Sequence, residues 1–127
     1  MLTGLHHIAI IASDYARSRA FYHQFLQLRI ISEIWREDRQ SWKLNLALPS
    51  GEQIELFSFP SSPPRASQPE ACGLRHLAFS VQQLESAKEK LIQYGVPTEP
   101  IRYDELTGKR FFFAYDPDSL PLEFYEI

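Results

Sequence analysis

Apolar and polar positions along the first half of the chain change period twice, from strand to helix and back to strand. Residues 5–12 form a β-branched apolar run typical of a strand buried on both faces. Ser13 or Asp14 can cap a following helix, in which apolar and aromatic residues recur at helical spacing from Tyr15 to Leu26. Residues 30–36, 41–48 and 53–59 are predicted strands, with a turn signal at 49–51. The predicted order is β-α-β-β-β.

The second half repeats this order after a proline- and serine-rich segment, residues 60–69, which neither packs a core nor continues a sheet. A strand is predicted at 74–81 and a helix at 83–94, and Gly95 ends the helix. Leu84, Ala87, Leu91 and Tyr94 share one side of that helix. Three strands follow at 96–103, 110–115 and 121–126. We therefore expect one domain of two duplicated modules, at about 4–59 and 74–127, joined by a linker at 60–73.

Short motifs support the duplication. HIAI at His7 aligns with HLAF at His76 at an offset of 69 residues, and IEL around Glu55 aligns with LEF around Glu123 at an offset of 68. Three predicted elements lie between the two motifs, yet the offsets differ by a single residue. A chance pairing of two histidines and two glutamates is not expected to agree so closely.

Strand alternation places these four residues on the face of the sheet that is turned away from the helix. Successive side chains of a strand point to opposite sides, so each histidine shares a face with a small alanine, away from the larger apolar residues that pack on the helix. Glu55 and Glu123 each stand between two apolar neighbours and point to the concave side of the sheet. A carboxylate there is costly to desolvate unless it is paired or coordinates a cation. Two imidazoles and two carboxylates predict a divalent metal site, with His7 preferred to His6 by parity.

Composition and charge exclude several classes of function. The net charge is −3 and the sequence pI is about 5.8, so nucleic acid and anionic membranes are unlikely partners. The N-terminus has only a short apolar run, which predicts neither a signal peptide nor a membrane span. Cys72 is the single cysteine and cannot form an internal disulfide, which favours a cytoplasmic protein.

These residues resemble the vicinal oxygen chelate superfamily, and within it the glyoxalase I group. The resemblance rests on four motifs in order: HHIAI followed by an aspartate-led helix, IELF, LRHLAFSV and the closing DPDSLPLEFYE. It implies an α+β fold in which two paired βαβββ modules form a cupped mixed sheet with the helices outside. It also implies that His7, Glu55, His76 and Glu123 bind one divalent ion (Ni, Zn, Co, Mn or Fe). A homodimer is expected, with sites either within one chain or shared between chains.

The resemblance further implies a metal-dependent lyase or isomerase related to lactoylglutathione lyase. Such an enzyme stabilises an enediolate formed from a small oxygenated metabolite, with Glu55 or Glu123 moving the proton. Glyoxalase I enzymes commonly carry an arginine four residues after the first ligand, where this chain has Ile11, so glutathione is not assured as the thiol. Arg36, Arg39, Lys43, Lys109 and Arg110 are candidates for holding an anionic substrate, with Arg36 and Lys43 preferred and with Trp42 and Phe57 as apolar walls.

Two other functions on the same scaffold stay open. One is a ring-cleaving dioxygenase or a thiol transferase, which in this superfamily uses two histidines and one glutamate. The other is a non-enzymatic small-molecule-binding protein of the bleomycin-resistance kind, which lacks the metal ligands. The fourth candidate ligand, Glu55, argues against the first function, and the complete ligand set argues against the second.

Overall fold

The computed structural model describes all residues, 1–127. The chain divides into two compact units, Met1–Pro64 and Arg65–Ile127, so the division falls inside the proline-rich segment. Residues 60–76 contain neither helix nor strand.

The first unit is a four-stranded mixed sheet with the strand order β1-β4-β3-β2. The outer strand β1 runs parallel to β4, while β3 is antiparallel to both of its neighbours. The elements in chain order are β1 (His7–Ala12), α1 (Tyr15–Arg19) continued by a π-helical segment (Ala20–Phe25), β2 (Arg29–Arg36), a 3₁₀ turn (Glu37–Arg39), β3 (Ser41–Ala47) and β4 (Gln53–Ser58).

The second unit repeats this topology with the strand order β5-β8-β7-β6, and β5 again runs parallel to β8. Its elements are β5 (Leu77–Val81), α2 (Leu84–Gln93), β6 (Arg102–Tyr103), β7 (Arg110–Tyr115) and β8 (Pro121–Glu126). Each parallel pair needs a crossover connection, which the helix of that unit supplies. The predicted fold of two paired βαβββ modules is confirmed.

Strand alternation determines where the core of each unit lies. Alternate residues of the inner strands are buried on one face of the sheet, whereas their neighbours stay partly exposed on the opposite face. The helices contribute Phe21 and Tyr22 to the core of the first unit and Leu84 and Leu91 to that of the second. The buried strand residues are Leu44, Leu46, Ile54 and Leu56 in the first unit and Phe112, Ala114, Leu122 and Phe124 in the second.

A local signal explains the start of the first helical region, but not the wider turn at its end. Asp14 caps α1, because its side chain accepts a hydrogen bond from the backbone N–H of Arg17 at 3.1 Å. The helical pattern then continues to Phe25 as predicted, but its second part is π-helical. The backbone N–H of Leu26 donates to the carbonyl of Phe21, five residues earlier, at 3.0 Å. The sequence periodicity did not predict this wider turn.

The strand predicted at 96–103 is largely wrong. Only β6, two residues long, and an isolated bridge between Thr98 and Ala114 form there. Pro97 and Pro100 explain the loss, because proline lacks the N–H that a ladder requires. Tyr94, predicted on the buried side of α2, is instead exposed at the C-cap of the helix. The chain leaves the helix there through Gly95, whose φ of 77° lies in the left-handed region.

No helix of the chain reaches the length and apolar character needed to cross a membrane.

Leu122→Ala tests how much the second unit depends on its buried strand face. Leu122 is 0% exposed, so the substitution removes packing and leaves a cavity, at an expected cost of about 2–5 kcal/mol in the free energy of unfolding. Urea unfolding followed by circular dichroism measures it. Leu106→Ala is the matched control, because Leu106 is 97% exposed and its truncation should change stability by no more than about 0.5 kcal/mol. Equal losses for both variants would contradict the assigned core.

Candidate functional site

His7 and Glu55 come together through the parallel pairing of β1 with β4. In this register Ala9 lies opposite Glu55, and His7 is two residues before Ala9 on the same face of the sheet. His7 Nε2 lies 3.6 Å from Glu55 Oε1. The Glu55 side chain is only 14% exposed, so the carboxylate is largely withdrawn from solvent although it lies on the face opposite the core. The first unit therefore holds one His–Glu pair.

His76 and Glu123 form the equivalent pair in the second unit. Ala78 lies opposite Glu123 in the parallel pairing of β5 with β8, and His76 again comes two residues before that alanine. His76 Nε2 lies 3.2 Å from Glu123 Oε2, and the Glu123 side chain is 15% exposed. The predicted duplication thus extends to the register that sets these two side chains beside each other.

The two glutamates have different neighbours. Glu55 Oε2 accepts a hydrogen bond from Asn45 Nδ2 at 3.1 Å and lies 3.7 Å from Lys43 Nζ. On β7 the position opposite Glu123 is Phe113, which has no donor to offer. The Phe113 ring instead packs edge-on against His76, with the ring centroids 5.2 Å apart. Glu55 is therefore held by three polar neighbours, whereas Glu123 has His76 as its polar partner.

The pairs fit two adjacent ligands of a metal ion in both chemistry and spacing. Imidazole nitrogen and carboxylate oxygen bind first-row divalent metals at about 2.0–2.2 Å, so two such ligands at right angles lie about 3 Å apart. The observed separations of 3.6 and 3.2 Å are close to this value. The structure groups the four candidates as two pairs, and no cluster of three or more His, Cys, Asp or Glu side chains is arranged to hold an ion.

His6 is the immediate neighbour of His7. It is exposed and precedes β1, and its Nδ1 lies 2.9 Å from His7 Nδ1. The two rings meet edge-on with their centroids 5.1 Å apart. The Nε2 of His7 is the atom that faces Glu55, while its Nδ1 faces His6.

Three of the four predicted substrate-binding residues lie together beside the first pair. The guanidinium carbon of Arg36 lies 4.9 Å from the centroid of the Phe57 ring, and Lys43 Nζ lies 5.9 Å from the same centroid. Arg36 also donates through Nη2 to Ser41 Oγ at 2.8 Å. These contacts leave two cations and an aromatic ring on the face that carries Glu55.

Trp42 does not belong to that group. It is next to Lys43 in β3, so alternation turns it to the opposite, helix-covered face of the sheet. There it stacks on Tyr15 of α1, with ring centroids 5.3 Å apart and planes 4° from parallel, and it meets Trp35 edge-on. Trp42 is a packing residue of the helix face.

The helix face also contains a polar cluster that the sequence did not indicate. Glu33 accepts hydrogen bonds from the Tyr15 hydroxyl and from Arg19 Nε, the latter at 2.7 Å. The guanidinium holds the pKa of Glu33 below its usual range, and burial together with the hydrogen bond to Glu33 raises that of Tyr15. The cluster fastens β2 to α1.

Arg110 is a candidate anion-binding residue that the structure assigns to other contacts. Its guanidinium donates to Glu126, with the Nε contact at 3.0 Å, and also to Glu85 of α2. Both carboxylates have their pKa lowered, first of all by the hydrogen bond from Arg110. Arg110 therefore ties α2 to the sheet.

Comparison with known proteins identifies the family. Residues 4–124 match the model of the Glyoxalase/Bleomycin resistance protein/Dioxygenase superfamily. The chain belongs to this superfamily, which confirms the resemblance read from the sequence motifs.

Relatives of similar length support the assignment. The chain is 56% identical over 126 residues to the uncharacterized protein YwkD of Bacillus subtilis (strain 168), covering 99% of this chain and 98% of that protein. It is 57% identical over 125 residues to the uncharacterized protein YaeR of Escherichia coli (strain K12), covering 98% and 97%. Among solved structures, SMU.1112c shares 42% identity and superposes with a TM-score of 0.95, over 99% of this chain and 100% of that one.

A more distant member shows the same fold with ligands bound. A mutant of the fosfomycin resistance protein FosX from Listeria monocytogenes, crystallised with Mn(II) and 1S,2S-dihydroxypropylphosphonic acid, has a TM-score of 0.77 at 23% identity. The alignment covers 98% of this chain and 93% of FosX. In FosX this fold thus holds a divalent metal ion and a small organic molecule.

Arg110→Gln tests the ion-pair assignment. Arg110 is the largest cause of the lowered pKa of Glu126, so the substitution should move that pKa up toward its ordinary value of 4.5, as followed by NMR titration. The folded pKa is depressed, so the pair stabilises the fold above the ordinary pKa and this stabilisation is lost as the pH falls through the lowered value. Lys109→Gln is the control, because Lys109 is a minor cause and should give a smaller rise. An unchanged pKa in Arg110→Gln would contradict the pairing.

Proposed function

We propose that this protein is a metal-dependent enzyme of the glyoxalase I type that acts on a small oxygenated metabolite. One divalent ion (Ni, Zn, Co, Mn or Fe) is bound by His7 and Glu55 of one half-repeat and by His76 and Glu123 of the other. The observation that carries the proposal is the identical placement of the two His–Glu pairs, each set by an alanine opposite the glutamate in a parallel strand pair.

The energetics of the carboxylates support a bound cation. Both glutamates lie on the sheet face opposite the core, with 14% and 15% of the side chain exposed. A carboxylate that is largely withdrawn from solvent is stable only when it is paired or coordinated. Glu55 is paired with Lys43, but Glu123 has only His76 as its polar partner, and a divalent ion would satisfy the carboxylates and the imidazoles at once. Manganese bound by FosX shows that the same fold accommodates such an ion.

An ion held by four protein ligands would retain open positions for substrate where its coordination number exceeds four. When bound, it supplies Lewis-acid stabilisation of the negative charge that develops on a substrate oxygen during proton abstraction next to a carbonyl. The fourth ligand, Glu55, favours this chemistry over the dioxygenases and thiol transferases, for which two histidines and one glutamate suffice.

The unequal surroundings of the two glutamates assign their roles. Glu55 is fastened by Asn45 and Lys43 as well as by His7, which suits a residue that stays in place as a ligand. Glu123 has His76 as its polar partner and faces the apolar ring of Phe113, so fewer contacts oppose its movement. We therefore assign proton abstraction and return to Glu123, and metal and substrate positioning to Glu55.

The substrate lies beside Arg36, Lys43 and Phe57 in this proposal. The two cations attract an anionic group of the substrate, and the Phe57 ring provides an apolar wall. Ile11 shares the face of His7 and lies opposite Phe57 in the strand register. An apolar residue at the position where glyoxalase I enzymes carry arginine favours a thiol other than glutathione, or a substrate without a glutathione moiety.

The proposal also covers the oligomeric state of the protein and its location in the cell. We assign a homodimer in the cytoplasm, with the metal sites within one chain or shared between chains. The cytoplasm is favoured because Cys72, the single cysteine, is exposed and free.

His7→Gln tests the metal site, with His6→Gln as its matched control. Loss of a direct ligand should weaken metal binding by more than about 100-fold, since even neighbours of ligands contribute 10- to 100-fold. His6→Gln should weaken binding less, by at most about 10- to 100-fold, because His6 contacts only Nδ1 of His7 and does not face Glu55. Purified chelator-free protein is titrated with Ni, Co, Mn, Fe and Zn, and bound metal is measured by mass spectrometry and calorimetry.

Two outcomes of that titration contradict the proposal. Wild-type protein that retains none of the five metals would rule out the metal site, and equal effects of the two histidine variants would rule out the ligand choice. Sedimentation of the same samples tests the assembly. A monomer that binds one full equivalent of metal excludes sites shared between chains.

Glu123→Gln tests the assignment of the proton acceptor. The amide is nearly isosteric but cannot accept the proton, so kcat for hemithioacetal isomerisation should fall by about 100- to 10,000-fold. The assay pairs methylglyoxal with several thiols under anaerobic conditions. Glu55→Gln should instead reduce metal affinity first, because Glu55 is the fixed ligand. Glu105→Gln, at an exposed residue, is the control. Normal turnover by metal-loaded Glu123→Gln would overturn the role given to Glu123.

A further inference from the structure

A cavity of about 540 Å³ opens beside His76 in the second unit. Its lining comes from the irregular segments at residues 65–76, 99 and 119 and from the strands β6, β7 and β8. Polar and aromatic side chains predominate, among them Arg65, Arg75, Arg102, Phe113 and Tyr115.

The charge of the lining favours an anion. Three arginines face two glutamates, in a chain whose net charge is −3. Two of the arginines are already engaged. Arg75 Nε donates to Glu70 at 2.7 Å, and Arg65 Nη2 donates to the carbonyls of Leu74 and Arg75 at 2.8 and 2.9 Å. The third, Arg102, is the cation that remains available for a ligand.

Arg102 is oriented by aromatic rings and forms only a long ion pair, with Glu99. Its guanidinium carbon lies 5.2 Å from the Phe111 ring centroid and 5.6 Å from that of Phe113, so the planar group is held over two aromatic rings. Arg102 Nη2 is 4.0 Å from Glu99 Oε1, too far for a hydrogen bond. Tyr115 donates to the other oxygen of Glu99 at 2.7 Å and so shares that carboxylate. The guanidinium N–H groups of Arg102 make no hydrogen bond within the protein.

The Phe113 ring connects Arg102 to the His76–Glu123 pair. The ring meets the Arg102 guanidinium at 5.6 Å and the His76 imidazole at 5.2 Å, measured from its centroid. A metabolite-sized ligand can therefore reach from the guanidinium to the His–Glu pair along one aromatic wall.

Two unpaired polar atoms belong to the same lining. Ser67 Oγ and His76 Nδ1 are buried and have no hydrogen-bond partner. Buried polar atoms are paired in most native structures, and exceptions often mark places completed by water or ligand. Their presence here is consistent with a site that is completed by a bound molecule.

We propose that this cavity binds the carboxylate of a small organic acid through Arg102, with the apolar part of the acid on Phe113 and its other oxygens toward His76 and Glu123. A carboxylate matches the planar fork of one guanidinium, whereas a dianionic phosphate would need a second free cation. The inference rests on the proposed function, because it names the chemical class of substrate for the same site.

Mandelate, a 2-hydroxy acid with an aromatic ring, is the probe. It is titrated by calorimetry and by ¹⁵N–¹H NMR into full-length protein from which metal has been removed with a chelator. We expect saturable binding to the wild type, weakened about tenfold by Arg102→Gln, since a charge-assisted hydrogen bond contributes roughly one such factor. Arg29→Gln, at an exposed arginine of β2 outside the cavity, should leave binding unchanged.

Further ligands and a second variant test whether Arg102 recognises a carboxylate. Neutral mandelamide should bind at least tenfold more weakly than mandelate, and Arg102→Lys should fall between the wild type and Arg102→Gln because it keeps the charge and loses the fork. Equal affinity of Arg102→Gln and wild type, or of mandelamide and mandelate, overturns the proposal. Tighter binding of inorganic phosphate than of mandelate overturns the carboxylate assignment. Circular dichroism of each variant confirms that it is folded.

The failures of the two proposals can be told apart. Mandelate binding is measured without metal, so it tests Arg102 alone. Metal retention by the wild type, measured separately, tests the His–Glu ligands.

Discussion

The parallel pairing of the first and last strands in each half-repeat is the constraint on which the candidate site depends. A parallel pair cannot be closed by a hairpin, so a helical crossover must connect its strands to the rest of the unit. The crossover covers one face of the sheet, and the register places an alanine opposite a glutamate on the other. The histidine two residues earlier then stands beside the carboxylate. A one-residue shift in the register of either strand would turn its histidine or its glutamate toward the core face of the sheet.

The chain contains two copies of this arrangement, one in each unit, and the His–Glu pairs of the two copies have different neighbours. In the first unit β3 presents Asn45 and Lys43 to Glu55. In the second unit β7 presents Phe113 to Glu123, and the same ring supports His76. A polar environment holds one carboxylate in place, and an aromatic environment leaves the other with fewer contacts. The repeat therefore supplies the symmetry of the two pairs, while the neighbouring strands give the two glutamates different surroundings.

Much of the fold and of the pairs could be predicted because strand alternation has a fixed period of two. Strand alternation alone predicts that His7, Ala9 and Ile11 lie on the face of β1 opposite the buried one, and these three residues are exposed in the structure. Parity would also have placed Trp42 on the helix face, since its neighbour Lys43 faces Glu55. Prediction failed where the backbone departs from regular geometry.

Two departures show the physical reasons. Pro97 and Pro100 remove donors from a segment whose apolar residues otherwise suggest a strand, and the π-helical turn changes the helical spacing. The cavity around Arg102 lay beyond sequence reasoning for another reason. The cavity forms because an irregular segment, residues 65–71, lies near β7. Hydrophobic periodicity in the sequence cannot predict such a contact.

The position of the cations bears on substrate choice more than the metal ligands do. Imidazole and carboxylate ligands recur across chemistries on this scaffold, so they indicate a reaction type and leave the substrate open. On β1, the face of His7 continues into the apolar Ile11. The available positive charge lies instead at Arg36 and Lys43 in one unit and at Arg102 in the other, each against an aromatic ring. A guanidinium that is held over a ring and lacks a hydrogen-bonded carboxylate keeps its donors free for a planar anion. In the two proposals, the groups that hold an anion therefore lie on β2, β3 and β6 and not on β1, which carries His7.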